Sequence, residues 1–523
     1  MIAPPARPPA PVATPAVASC TALAVALALV PGAPARADVW ELEPSVTLDQ
    51  RFDDNYSLDA FDPDRASITR AVGELGLARE SRTFSVTGLA RIDALLTRTS
   101  ENDGGNDLDS NQLVGVETRF GGRLTRFGVD LGFKRDTPSR DIAGDLAVGD
   151  SVATDTSAID QESDVARRRF TLAPSIVREL TRRTSVEGRI TYTNVQHDLP
   201  DPQDAIYEQY LRLLNNPNLE PERLAELTDD SGEPLGFDEV GIDTIGGEPF
   251  TPTGELDDFQ EARLDVGVRH ELSPITTLSG FLSTSRYVAE AEPDPLAFFA
   301  FEEFSRDPDE PLIVRKPRRE SISTTSSVRI GYDRALSPTL SIGLQGGLYI
   351  NRTDDNDTLR ESDRPPPELG FGPDVQERFD AALGSFDTSE NGWLANVTLA
   401  KDTGLTRYVA RFAVDVQPSS VGSQVETQEL TGEVTHELGP LTDLSFRARA
   451  YEPDRLGADP EDEFARRFVS FEPRVTWRFA RGWSANAAYR YRRQKSRAVT
   501  ESAESNAVLF ALSWSPPSRV PDL

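Results

Sequence analysis

Six arginines near the C-terminal end stand two or four residues apart on three neighbouring segments: Arg447 and Arg449, Arg474 and Arg478, Arg490 and Arg492. A guanidinium stays charged at any relevant pH and offers a rigid fork of donors that suits carboxylate or phosphate. In each segment apolar residues occupy the other parity, as with Leu444, Phe446, Ala448 and Ala450 between and beside the first pair. If the apolar set faces outward, all six arginines face one interior, where Glu472 alone offsets them on these segments. The same rule applied to residues 40–52 sends Glu41, Glu43 and Asp49 inward. A basic wall beside an acidic one sets a field across the interior that orders polar solutes and selects anions locally. The alternative is that these arginines pair with interior carboxylates and fill space.

Other chemistry is sparse. The three histidines, His197, His270 and His436, form no His-Glu-x-x-His pair and no metal spacing, and no serine pairs with one of them as a hydrolase requires. No catalysis and no cofactor is expected. The oxygen-rich stretch 102–109 lacks the ligand spacing of a defined calcium loop and reads as a solvated turn. Two long connections carry apolar surface. Residues 204–215 place Ile206, Tyr210 and Leu213 on one helical face, with Asp204 as a cap, and residues 295–304 hold four phenylalanines. Such surface must be covered or used, as a constriction, a lid, a partner site or plain loop packing.

What positions the arginines is a repeated alternation. Trp40, Leu42, Val46, Leu48 and Phe52 fall on one face of the first segment and Glu41, Glu43, Ser45, Thr47, Asp49 and Arg51 on the other. Side chains of a strand point alternately to its two faces, so each segment is a strand with one greasy and one wet side. Eighteen such strands are predicted, at 40–52, 66–78, 83–95, 110–120, 124–135, 168–180, 185–195, 260–272, 277–288, 321–334, 338–351, 392–402, 406–417, 425–438, 442–453, 467–479, 483–494 and 505–515. Links after even strands are a few residues long, such as Gly121-Gly122-Arg123, and three share Leu-Ser/Gly-Pro, at Leu272, Leu336 and Leu438. Links after odd strands are longer and mostly acidic; the longest, 197–259, holds seventeen Asp or Glu and two Arg. All five tryptophans fall on the greasy parity at strand ends. Together these features predict an all-β, transmembrane, up-and-down antiparallel barrel with short periplasmic turns, long outer loops and both termini in the periplasm. Intrinsic disorder does not explain strict alternation, and a soluble propeller or sandwich does not explain the tryptophans.

Composition agrees. Arg7, the apolar run 21–30 and Ala35-Arg36-Ala37 read as a secretory signal peptide over 1–37, too short to be a membrane helix. Val17-Ala18-Ser19-Cys20 resembles a lipoprotein box, but the apolar run follows Cys20 instead of preceding it. The barrel then occupies 38–515 and a periplasmic tail 516–523. Cys20 is the only cysteine, so disulfides and thiolate metal sites are excluded from the mature chain. Without Arg7 and Arg36 the chain keeps 53 basic against 86 acidic residues, a net −33, which excludes a nucleic-acid partner. A hydrophobic fraction of 38% is low for a soluble core of this size but suits a barrel whose strands meet lipid on one face.

The opening Trp40-x-Leu42-x-Pro44-x-Val46, closing in Asp53-Asp54-Asn55, resembles the start of the outer-membrane β-barrel porins of Gram-negative bacteria. The segment Asn506 to Trp514 resembles their closing strand, although here Ser515 to Leu523 follows the usual terminal aromatic. The likeness spans the mature chain in architecture and rests on short motifs. Eighteen strands are also similar to alginate-exporter-type barrels and sugar porins. The resemblance implies a conduit in the cell outer membrane, embedded in lipid and lipopolysaccharide and inserted by the outer-membrane assembly machinery. The leading expectation is a passive channel for small polar or anionic solutes. The alternatives are a secretion conduit for an acidic exopolysaccharide and a non-conducting adhesin or scaffold.

Overall fold

The computed structural model describes residues 40–56, 58, 65–99, 107–137, 166–197, 258–291, 298–301, 312–315, 318–358, 385–418, 424–455, 466–496 and 502–516. The signal peptide, the segment 204–215 and most of the C-terminal tail lie outside the described residues.

The described residues form twenty strands. In chain order they are β1 (Trp40–Asp53), β2 (Ala66–Glu80), β3 (Phe84–Thr99), β4 (Asp107–Gly121), β5 (Thr125–Asp136), β6 (Arg167–Glu179), β7 (Thr184–His197), β8 (Asp258–Ser273), β9 (Thr276–Ala291), β10 (Phe298–Phe301), β11 (Leu312–Arg315), β12 (Arg318–Ser337), β13 (Leu340–Thr358), β14 (Ser385–Asp402), β15 (Thr406–Pro418), β16 (Gln424–Gly439), β17 (Thr442–Arg455), β18 (Arg466–Ala480), β19 (Trp483–Ser496) and β20 (Ser502–Trp514). Strands β10 and β11 pair only with each other; β10 takes up part of the phenylalanine-rich stretch 295–304. The other eighteen each pair antiparallel with their chain neighbours, and β1 closes on β20 from Val46↔Trp514 to Asp53↔Ala507. The result is the expected closed eighteen-stranded barrel, with no free edge left to aggregate.

The alternation is realised as exterior and interior. Leu42, Val46, Leu48 and Phe52 are exposed on the outside of β1, while Asp49, Arg51 and Asp53 are buried within. Trp393, Trp477, Trp483 and Trp514 are likewise exposed on the exterior, although Trp393 lies in the middle of β14 and not at the strand end expected for it. At the short-turn end, Trp483 meets Trp514 with ring centroids 6.3 Å apart, and Arg79 lies over Trp40 at 5.1 Å. This is the aromatic belt expected where a barrel leaves the hydrocarbon.

The short turns use local chemistry. Each Leu-Ser/Gly-Pro motif coincides with a register shift in which the leucine is skipped: Leu272 between Glu271 and Ser273, Leu336 between Ala335 and Ser337, Leu438 between Glu437 and Gly439. Each leucine keeps the outward parity of its strand and is exposed, and the following proline sits in the turn, where its missing N–H breaks no ladder bond. Gly482 adopts φ +77, and a methyl group there would lie 2.4 Å from the carbonyl of Ser515, so only glycine fits.

Two departures from simple alternation matter. Strands β13 and β14 reach Thr358 and Ser385, well beyond the expected ends at 351 and 392. Beyond the lipid neither face must be apolar, so the period-2 signal fades in stretches such as Arg352-Thr353-Asp354-Asp355 although the ladder continues. Second, pairing of β14 with β15 runs only from Asp402↔Arg407 to Ala395↔Val414. Above that point β14 stays with β13 up to Asn356↔Ser385, and β15 stays with β16 up to Pro418↔Gln424.

Candidate functional site: the charged lumen

The interior carries two different charged walls. The first is built by β17–β20 and β1–β3, where the chain closes. Every one of the six expected arginines faces inward there, and every one has a carboxylate partner. Arg490 Nε donates to Glu472 Oε2 at 2.8 Å and Arg474 Nη2 to Glu472 Oε1 at 2.6 Å. Arg449 Nε donates to Glu429 Oε1 at 2.6 Å, with its guanidinium over the Tyr451 ring at 5.1 Å. Arg478 pairs with Asp443, and Arg447 stands 3.7 Å from Glu433. Arg492 Nη2 donates to Asp53 Oδ2 at 3.0 Å and to Ser505 Oγ at 3.1 Å.

Glu472 is therefore not the only offset. Asp443 shares the face of β17, Glu429 and Glu433 come from β16, and Asp53 comes from β1 across the seam. Exposure is graded along the wall. The side chains of Arg447 and Arg478 are about half exposed, whereas Arg490 and Arg492 are buried. The cover for Arg492 is the segment after β1, which turns inward. Tyr56 offers its carbonyl to Arg492 at 3.4 Å, and Leu58, at φ +55, packs with Tyr451, Phe468 and Ala503.

The expected acids of β1 separate. Glu41 and Glu43 are exposed near the short-turn end. Asp49 is buried within electrostatic reach of Arg70, Arg51 and Arg91 as well as Asp93. Arg51 pairs with Asp53, Arg70 Nη2 donates to Asp93 Oδ2 at 2.6 Å, and Arg91 Nε to Asp93 Oδ1 at 2.8 Å. Strands β1–β3 thus bring as many arginines as aspartates to this wall. The parity that sets Asp49 inward also sets Arg51 and Asp53 there, and Arg70, Arg91 and Asp93 follow from the same rule, so all were readable from the sequence.

The opposite wall, on β4–β9 with β12 and β13, borders a cavity of about 580 Å³. One of its pairs stands in the open: Arg189 Nη2 donates to Asp130 Oδ2 at 2.7 Å with both side chains at least a third exposed. Arg263 Nε donates to Asp265 Oδ1 at 3.0 Å and to Ser283 Oγ at 3.1 Å. Glycines keep this wall thin. A methyl group on Gly267 would fall 2.8 Å from both Glu187 and Phe281, which lie over it.

The histidines occupy strand ends. His270 Nδ1 and His436 Nδ1 each share a hydrogen with a threonine of the neighbouring strand, Thr184 at 2.9 Å and Thr406 at 2.7 Å. His197 lies 3.4 Å from Asp258. Of the oxygen-rich stretch 102–109, Asp109 accepts from Thr137 Oγ1 at 2.6 Å and Ser110 N at 2.7 Å; residues 101–106 lie outside the described residues. Among the described residues no three His, Cys, Asp or Glu side chains are grouped to hold a metal.

No family model matches the sequence, and no curated protein matches it. Among solved structures the chain is similar to OccK5 (OpdH) of Pseudomonas aeruginosa, at 9% identity over 91% of this chain and 98% of that one, with a TM-score of 0.37. It is similar to OccK1 (OpdK) of the same organism at 9% identity, over 92% and 99%, TM-score 0.39. For OccAB2 of Acinetobacter baumannii the values are 8%, 91%, 98% and 0.38. Likenesses this distant transfer no function, and the barrel stands on the strand pairing of this chain.

Proposed function

We propose that the protein is a passive channel of the cell outer membrane for small polar solutes, with a preference for anions. The observation that carries this reading is the closed eighteen-stranded barrel with an apolar exterior and an ionised interior. Eight strands are filled by their own side chains, whereas sixteen to eighteen leave room for water. Short turns then face the periplasm and the long links face outward, as in other barrels of this kind. Among the six arginines of the closure wall, those able to select anions are the ones that water reaches, Arg447 and Arg478, not the buried Arg490 and Arg492.

Purified protein in planar bilayers under a salt gradient tests this. The expected result is a steady ohmic conductance with a reversal potential on the anion side. Replacing Arg447 and Arg478 by Ser moves that potential toward cations. A folded barrel that inserts but carries no current overturns the channel reading.

A further inference from the structure

We infer that the described residues next to the tip of the β15–β16 hairpin, 414–418 and 424–426, are folded into the barrel and form the constriction of the pore. This rests on the channel reading above and adds the element that sets the passage.

The inference starts from contacts that a smooth wall cannot make. Thr325 on β12 bonds through its Oγ1 to Gln424 on β16, four strand positions away. Neighbouring strands lie about 4.8 Å apart, so these backbones would be separated by roughly 19 Å along the wall. A threonine and a glutamine cannot bridge that distance. Tyr349 Oη on β13 donates to Glu426 Oε2 on β16 at 2.7 Å, and Arg329 Nη2 on β12 donates to Asp415 Oδ1 on β15 at 2.8 Å, each across three positions.

Parity shows which face is turned. Gln424 and Glu426 share the parity of Leu430, which is exposed on the exterior, yet they touch the inward-facing Thr325 and Tyr349. Val414 and Val416 continue the outward row of Tyr408, yet Val414 is buried and Val416 packs on Tyr349 and Leu394. The outer face of the hairpin end therefore lies on the inner face of β12–β14. The pairing break at Ala395↔Val414 is the point where it leaves the wall. Gly392 makes the seat possible: the Tyr349 ring lies over it, where a methyl group would be 2.5 Å away.

The seat is polar. Ser323 Oγ and Thr325 Oγ1 donate to Asn351 Oδ1 at 2.7 and 2.8 Å, and Asn351 Nδ2 donates to Thr353 Oγ1 at 3.1 Å; all four are buried, and Thr325 meets Gln424 of the hairpin. Hydroxyls and amides exchange protein partners for water at small net cost, so such a seat can be left and regained. Seated, the hairpin holds Asp415 on Arg329 and within electrostatic reach of Arg263 on β8. Two guanidiniums and two carboxylates, counting Asp265, then line the narrowed passage.

The test uses the full chain in a Cys20→Ser background carrying Thr325→Cys and Gln424→Cys, alongside a release variant, Tyr349→Phe with Glu426→Gln. Loss of free thiol reports seating without any current measurement. The expected results are spontaneous oxidation of the pair, a low unitary conductance while oxidised that rises on reduction, and a conductance above wild type in the release variant. Free thiols that resist a mild oxidant overturn the seating. Wild-type current that neither the crosslink nor the release variant alters overturns the constriction while leaving the channel intact. Absence of current in wild type as well as variants, with the crosslink formed, counts against the channel reading and so overturns the pore role of the hairpin.

Discussion

The two charged walls of the lumen are written in the same alphabet and behave differently. On the closure wall, Asp53 is shared by Arg51 and Arg492, and all three side chains are fully buried. On the cavity wall, Arg189 and Asp130 form an equally close pair that water reaches from both sides. The difference is cover. The segment after β1 folds over the first wall and seats Leu58 against Tyr451 and Phe468, whereas on the second wall at least a third of each side chain of the Arg189–Asp130 pair stays exposed. Charge at the covered end of the first wall is paired away and knits the seam; charge at its open end, at Arg447 and Arg478, and in the second wall remains available to a solute. Buried pairs are costly to break because the abandoned partner stays in a dry site, and exposed pairs contribute little.

The largest effect expected from this contrast is at Asp53. Asp53→Ala leaves Arg51 and Arg492 without their carboxylate and lowers stability by about 3–5 kcal/mol, read as the urea midpoint of the refolded barrel in detergent. Asp130→Ala on the other wall changes the same midpoint by less than about 1 kcal/mol. Equal losses at the two sites would end the distinction.

Leu58→Ala comes next. It removes the apolar cover from the closure wall and costs about 2–3 kcal/mol, in the lower range for buried leucine truncation. It also opens Arg492 to water, so an arginine-directed dicarbonyl reagent modifies Arg492 in the variant and not in wild type, as peptide mass mapping reads. Protection of Arg492 in a folded Leu58→Ala barrel would show that the cover lies elsewhere.

Glu472→Gln probes the middle of the gradient, where one carboxylate serves Arg474 and Arg490. The expected loss is about 1–3 kcal/mol, since a neutral amide still accepts one hydrogen bond from the pair. The smallest effect on stability and the clearest on transport belongs to Arg189→Ser. Its unfolding midpoint stays within about 1 kcal/mol of wild type while the reversal potential moves toward cations. A shift from Glu472→Gln as large as that from Arg189→Ser would make the buried part of the closure wall a selectivity element too.

Much of this molecule follows from local rules. Period-2 alternation is a property of each strand alone, so the eighteen strands, their faces, the tryptophan belt and the inward direction of Arg447, Arg449, Arg474, Arg478, Arg490 and Arg492 are all legible in the sequence. The Leu-Ser/Gly-Pro turns are equally local, and the bulge they encode sits where they stand.

Tertiary structure decided which of those inward charges meet water. That depends on register between strands far apart in sequence, which pairs Asp53 with Arg492, and on two segments that turn inward. Leu58 leaves no periodic signal, because a single residue has no period. The β15–β16 end keeps its alternation, but the face it labels as outer is pressed against the inner wall. Alternation tells a side chain which side of its own strand to occupy; only closure of the barrel, and what folds back into it, tells that side whether it is dry or wet.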